Sequence, residues 1–172
     1  MKRSILAGLC LLIAPATAQA QLEVGVDAGL TLHTGFENSD NLNQLSIPAP
    51  RARLGVPLGD LLSLEGLLGF QRLSSGGESA STLSFLPGVN ILLGESGGYL
   101  RGEVAINRVA AGGNSQSQYG FGGAIGVRMP VDDAVFVRLE GGFDRWLEDQ
   151  DNFLEAYNEI RILVGVSAIV GG

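Results

Sequence analysis

The feature that most constrains this chain is an alternation of apolar and polar residues in a long segment near each end. Successive side chains of a β-strand point to opposite faces, so a period of two predicts strands and excludes helices here. After residue 20 the chain has no apolar run near the eighteen residues that a membrane-spanning helix needs. Such a chain can cross a membrane only as a closed barrel, because lipid offers no partner to an open sheet edge. The alternating apolar residues are Leu22, Val24, Val26, Ala28, Leu30 and Leu32, and Ile160, Ile162, Val164, Val166, Ala168 and Val170.

The first twenty residues have the three parts of a secretory signal peptide. Lys2 and Arg3 are positive, the stretch 5–14 is apolar but too short to span a bilayer, and Ala18-Gln19-Ala20 supplies small residues for cleavage. We therefore expect residues 1–20 to be removed during export by the general secretory route. Residues 21–172 are expected to form a single domain.

The domain that remains is acidic. Removing Lys2 and Arg3 from the 11 basic residues leaves nine arginines against 18 Asp and Glu, a net charge of -9. A nucleic-acid partner is excluded, because neutralising phosphates takes a concentrated excess of Lys and Arg. Cys10, the one cysteine, lies in the leader, so no thiol, disulfide or cysteine-metal chemistry is expected. No cofactor or metal site is predicted.

Six further strands are expected between the two end strands, which makes eight, each near the length that a tilted strand needs to cross a bilayer. Their connections alternate in length. Tight turns are expected at 57–60, 94–98 and 130–134, and longer polar loops at 34–50, 73–80, 109–117 and 147–156. The sequence therefore predicts an all-β, antiparallel, up-and-down barrel. The six strands are 51–57, 61–72, 81–93, 99–108, 118–129 and 135–146.

This combination of signal peptide, eight alternating strands and alternating connection lengths resembles the small outer-membrane β-barrels of Gram-negative bacteria, of the OmpA transmembrane-domain and OmpX type in the porin-like family. The resemblance implies extracellular loops, periplasmic turns and insertion by the outer-membrane assembly machinery. The chain departs from that pattern where Val170, followed by Gly171-Gly172, replaces the usual terminal aromatic residue. Pro87, inside the fourth strand, is a second departure, and a β-bulge is expected there.

The polar face of the predicted strands carries nearly balanced charge among many small residues. An eight-stranded barrel is only just wide enough for side chains to fill, and a desolvated charge must be paired, so we expect a plugged interior of ion pairs. Two layers are expected. The inner, periplasmic-side layer has Arg101, Arg128 and Arg138 against Glu23, Glu65, Glu103 and Glu140, and the outer layer has Arg51, Arg53 and Arg161 against Asp144 and Glu159. The residues are Glu23, Asp27, Arg51, Arg53, Glu65, Arg101, Glu103, Arg128, Arg138, Glu140, Asp144, Glu159 and Arg161.

The apolar face of the predicted strands also carries three arginines, which lie at strand ends: Arg72, Arg108 and Arg145. Charge facing lipid is tolerated at the rim of a barrel, so a ring that binds lipopolysaccharide phosphates is expected, with solvated strand ends as the alternative. His33, the one histidine, lacks a serine at the spacing of barrel lipid A hydrolases, so no catalytic residue is assigned.

The function predicted from sequence is a non-catalytic barrel that has a structural or surface-interaction role and lies in the bacterial outer membrane among lipid and lipopolysaccharide. The loop partner is not identified by the sequence. Two alternatives are a narrow porin-like channel and a soluble periplasmic ligand-binding β-barrel. The face opposite the charges is uncharged through its middle, which favours the membrane barrel over the soluble one.

Overall fold

The computed structural model describes residues 21–35, 43–75, 78–149 and 154–171, and within them the chain forms nine β-strands and a short 3-10 turn at Gly94–Ser96. The predicted leader, residues 1–20, lies outside the described residues. No helix in the described part of the chain is long and apolar enough to cross a membrane. The strands are β1 (Leu22–Thr34), β2 (Gln44–Ser46), β3 (Arg51–Pro57), β4 (Leu62–Ser75), β5 (Glu78–Leu92), β6 (Gly98–Ala111), β7 (Asn114–Asp132), β8 (Val135–Trp146) and β9 (Tyr157–Val170).

The strands close into one antiparallel barrel. β3 to β9 pair in chain order, and β1 pairs with β9 along its whole length, from Leu22 opposite Val170 to Thr34 opposite Asn158. β2 and β3 both pair with the other edge of β1, so together they form the second of eight barrel strands. The break between them contains Pro48 and Pro50, which cannot donate ladder hydrogen bonds. The predicted eight-stranded up-and-down barrel is confirmed, with β2 as a short extra strand that the sequence did not reveal.

The two ends of the barrel differ in their connections. At one end, here called the turn end, the links are residues 58–61, 93–97 and 133–134. At the other, the loop end, β1 is followed by a long link and β8 is linked to β9 through residues 147–156. The predicted long loops at 73–80 and 109–117 are wrong. Ser75 of β4 pairs with Glu78 of β5, and Ala111 of β6 pairs with Asn114 of β7, so each connection has only two residues. The small and polar residues there extend the strands beyond their apolar segments.

Pro87 is accommodated without the predicted bulge. The β5–β6 register is the same on both sides, with Phe85 opposite Ile106 and Gly88 opposite Glu103, while the ladder is interrupted between these pairs. At this interruption the carbonyl of Leu86 accepts a hydrogen bond from Arg101 Nη2 at 2.7 Å, so this buried acceptor is satisfied by a side chain. The register shift lies instead between Pro130 and Asp132, at the turn end of β7 and β8.

The barrel wall is incomplete at one place near the loop end. The β3–β4 ladder ends where Arg51 lies opposite Gly69. Beyond that point β4 continues to Ser75, whereas β2 pairs with β1 alone in the described residues. An opening therefore separates residues 47–49 from the upper part of β4.

The two faces of the wall have opposite chemistry. Outward side chains are apolar and exposed; Val26 is 56% and Ile125 62% exposed. Inward side chains are mostly charged, polar or glycine, and Arg53 and Asp144 are 0% exposed. The hydrophobic belt thus lies outside and the charges lie inside, which is the inverse of a water-soluble protein.

Candidate functional site in the barrel interior

The thirteen residues predicted for the interior all lie on the inward face of the barrel. Twelve of them are buried, and the side chain of Arg128, at the turn end, is 21% exposed. Because alternate residues of every strand point inward, strands from most of the circumference bring arginines and carboxylates together. Glycines on this face make room, as at Gly142, where an added Cβ would lie 2.6 Å from Arg161 Cζ.

Arg53 is the centre of this interior network. Its Nε donates to Asp27 Oδ2 at 2.7 Å, its Nη1 to Glu65, and its Nη2 to Glu140 Oε2 at 3.2 Å. The three carboxylates come from β1, β4 and β8, so one guanidinium from β3 links its own strand to three others. A planar group with five donors suits this position better than an ammonium, which agrees with the use of arginine alone.

Arg138 and Arg128 continue the network toward the turn end. Arg138 donates through Nε to Glu23 Oε1 at 2.9 Å and lies 3.0 Å from Glu65 Oε2. Arg128 Nη1 donates to the other oxygen of Glu23 at 3.0 Å. Each oxygen of Glu23 therefore has its own arginine partner.

Toward the loop end the network continues through Glu103, whose two oxygens join Arg101 to Arg161. Arg101 Nε lies 2.6 Å from Glu103 Oε2, and Arg161 Nη2 donates to Glu103 Oε1. Arg161 Nη1 also donates to Asp144. The expected division into two layers is wrong, because Arg53, assigned to the outer layer, pairs with Glu65 and Glu140 of the inner one. The side chains are long enough to form one continuous lattice.

Two interior contributors were missed by the sequence reasoning. Tyr99 is 0% exposed, donates to Glu140 Oε2 at 2.7 Å, and carries Arg138 Cζ 5.3 Å above its ring. Tyr99 alternates with Arg101 and Glu103 along the chain, and this position on the inward face could have indicated that its side chain lies in the interior. The second is an apolar cluster inside the barrel, which fills space between the charged groups. Its members are Leu67, Leu86, Ala105, Trp146 and Leu163.

At the loop end the structure places His33 and Arg51 on Glu159. His33 Nε2 lies 3.2 Å from Glu159 Oε2, and Arg51 Nη2 lies 3.5 Å from Glu159 Oε1. The His33 ring also contacts Tyr157, with centroids 5.1 Å apart. His33 and Glu159 are directly paired residues of β1 and β9, so this contact follows from the closure of the barrel.

The three arginines predicted for the rim are not all brought together. Arg72 and Arg108 are exposed and line one groove between the β4–β5 and β6–β7 hairpins. Arg108 Nη2 donates to Ser115 Oγ at 3.2 Å. Arg145 is half-buried on β8 and donates to Asn158 Oδ1 on β9 at 3.2 Å, away from that groove.

No family model matches the sequence, and a search of curated proteins found no match. Solved structures do match the fold. The Neisserial surface protein NspA is 17% identical, with a TM-score of 0.64 over 86% of this chain and 96% of that one. The outer membrane protein AlkL, solved in lipid bilayers, is 9% identical, with a TM-score of 0.54 over 92% and 95%. The Yersinia pestis outer membrane protein Ail, solved in a phospholipid nanodisc, is 11% identical, with a TM-score of 0.50 over 86% and 99%. The chain therefore has the fold of the small outer-membrane barrels.

Proposed function

We propose that the protein is an integral β-barrel of the bacterial outer membrane with a structural or surface-interaction role and no catalytic activity. The observation that carries this proposal is the inverted burial: Arg53, Arg138 and Arg161 are 0–1% exposed, while the leucines and isoleucines of the outer belt are about half exposed. In water such a belt would be an aggregation surface far larger than a monomer tolerates. In lipid it is the expected outer surface.

The fold relatives support the same location. Ail and AlkL are outer membrane proteins, and both were solved in lipid. In that setting the loop end faces the exterior, the turn end faces the periplasm, export uses the signal peptide, and insertion uses the outer-membrane assembly machinery.

The deciding experiment is fractionation followed by electrophoresis with and without heating. A closed membrane barrel stays in the outer-membrane fraction, requires detergent for extraction, and migrates differently before and after boiling. Release of the protein by osmotic shock, with one mobility in both conditions, would instead establish the soluble periplasmic barrel.

The filled interior supports a plugged barrel over an open channel. Water-filled channels are found in barrels of many more strands, and here the lumen is occupied by buried arginines, carboxylates and the apolar cluster. Purified protein in planar bilayers is therefore expected to show no stable unitary conductance. Discrete, reproducible conductance steps would favour the narrow channel.

The proposed lipid partner is lipopolysaccharide, bound by its phosphates at Arg72, Arg108 and Arg145. Guanidinium groups bind phosphate with strong, charge-assisted hydrogen bonds. Because only Arg72 and Arg108 share a groove, Arg72→Gln with Arg108→Gln is expected to remove most of the co-purifying lipopolysaccharide, and Arg145→Gln less. Unchanged lipopolysaccharide in the triple variant would remove this part of the proposal.

A further inference from the structure

A cavity of about 330 Å³ lies at the loop end of the barrel interior. Residues of every strand except β7 line it, among them Thr31, Arg51, Asn107, Trp146 and Glu159. On one side it reaches the opening in the wall, where Ile47, Pro48 and Ala49 face Phe70 and Leu73. The cavity is therefore closed toward the turn end by the filled interior, and it is accessible through the opening between residues 47–49 and β4.

The lining carries hydrogen-bonding atoms that no group of the described structure satisfies. They are two donors, Arg51 Nη1 and Trp146 Nε1, and two acceptors, Asn107 Oδ1 and Glu159 Oε1, of which Glu159 Oε1 has only its ion pair with Arg51 Nη2 at 3.5 Å. Arg51, Trp146 and Glu159 are 7%, 3% and 5% exposed. Buried polar atoms in folded proteins are almost always paired with protein groups or with water, so a cluster of four around one cavity forms a polar site whose hydrogen bonds a ligand can complete.

The charges and chemical types in the lining define the class of ligand. Arg51 and Glu159 balance each other across 3.5 Å, so the cavity has no excess charge to attract an ion. Both donors and acceptors remain unmet, and a hydroxyl group satisfies both. The rings of Trp146 and Tyr157, stacked with centroids 5.8 Å apart, add an apolar side. The volume is at the lower end of the range for small-molecule sites.

From this combination we infer that the loop-end cavity binds a small, neutral, hydroxyl-rich ligand of the size of one sugar ring. The opening in the wall allows two sources. The ring is either a free sugar entering from solution or the headgroup of a glycolipid whose chain leaves between Ile47 and Phe70. Both sources place the same hydroxyls against Asn107 and Trp146.

The test is a binding titration of the full-length folded protein in an alkyl phosphocholine detergent, which carries no sugar. Trp146 is the one tryptophan of the chain, so its emission reports on the cavity directly. The probes are glucose, galactose, N-acetylglucosamine and methyl β-glucoside, followed by calorimetry. We expect a saturable change for at least one probe, with a Kd on the order of 1 mM, as ordinary ligand efficiency gives for roughly a dozen heavy atoms.

Three variants assign the binding to the cavity. Asn107→Leu removes an acceptor and is expected to weaken binding about tenfold, the loss of one hydrogen bond to a buried group. Trp146→Phe keeps a ring but removes the donor, and calorimetry should show a similar loss. Asn114→Leu makes the same chemical change at the exposed tip of the β6–β7 hairpin and should bind as the parent does.

The two sources are separated by comparing methyl β-glucoside with octyl β-glucoside below its micelle concentration. Equal affinity indicates a free sugar, and a much tighter octyl glucoside indicates a lipid-borne one; both support the site. No saturable response to any probe up to ~100 mM, far above the expected range, or equal binding by Asn107→Leu and the parent, would overturn the inference. The titration does not depend on where in the cell the barrel resides, so its failure leaves the proposed function to its own test.

Discussion

At the scale of single residues, the interior arginines differ in how many partners depend on them. Arg53 is buried among Asp27, Glu65 and Glu140, which come from three strands. Arg128 shares Glu23 with Arg138 and is partly solvated. Removing one member of a buried ion pair leaves an uncompensated charge, whereas a partly exposed pair contributes little.

This difference gives the first prediction. Arg53→Met is expected to lower the free energy of unfolding by about 3–5 kcal/mol, because Asp27 loses its close arginine partner inside the barrel. Arg128→Met, the matched control, should cost less than about 1 kcal/mol, since Glu23 keeps Arg138. Urea unfolding in lipid vesicles measures both. Equal losses in the two variants would contradict the central position of Arg53.

Two adjacent glycines of β8 allow a second prediction. Gly142 faces inward, where an added Cβ would lie 2.6–2.8 Å from the guanidinium of Arg161, and that group is held by Glu103 and Asp144. Gly141 faces outward with nothing within 4 Å of an added Cβ. Gly142→Ala should therefore destabilise the barrel by about 1–3 kcal/mol by overpacking.

Gly141→Ala is the control and should stay within about 0.5 kcal/mol of the parent. The same urea unfolding experiment reports both changes. If Gly142→Ala proved as harmless as Gly141→Ala, the interior would be looser than the contacts around Arg161 indicate.

At the scale of the elements, the β6–β7 hairpin is closed by Gly112 and Gly113, with φ values of 58° and 84°. A two-residue turn with both φ values positive matches the twist of the strands, and side chains other than Asn and Asp rarely adopt it. Gly113→Val should cost about 1–2 kcal/mol, and Gly112→Asn should be close to neutral. Thermal unfolding of the two variants checks this, and a neutral Gly113→Val would rule out the turn geometry.

The same hairpin shows where sequence reasoning ended. Alternation was strong wherever large apolar residues faced outward, so the barrel strands and the inward charges could be predicted. From Val109 to Ser117 the residues are small or polar on both faces, so apolar and polar residues do not alternate and a strand cannot be recognised there. The pairing of Ala111 with Asn114 depends on strands that continue past the apolar belt, which only the ladder itself shows.

Long-range contacts set a second limit of the same kind. Parity predicted that Arg53 and Glu140 share the interior, but not that they touch, because they are 87 residues apart and the stagger of a barrel decides which inward groups meet. The loop-end cavity was equally hidden. Asn107 and Trp146 share only the inward parity of their strands, which does not show that they line one cavity, and the opening beside them lies at the break that contains Pro48 and Pro50.

At the scale of the whole molecule, the outer belt is the surface on which the proposed location depends. Its charge-free middle suits the hydrocarbon core of a membrane, where a charge is costly, and the cost falls toward the interfaces. A soluble barrel would show no such dependence on depth, because an arginine on its outer surface would be solvated anywhere. Depth dependence therefore separates the two environments without reference to any ligand.

Strand β7 provides both depths. Ile125 lies near its middle and is 62% exposed, and Val131 lies next to its turn-end terminus and is 67% exposed. Ile125→Arg should lower the free energy of unfolding in lipid vesicles by about 2–4 kcal/mol, and Val131→Arg by about 0–1 kcal/mol. The two substitutions introduce the same group at nearly equal exposure, so the comparison rests on the depth of the charge. Similar small effects for both would mean that the belt does not lie in a bilayer, and the membrane proposal would fail whatever the interior binds.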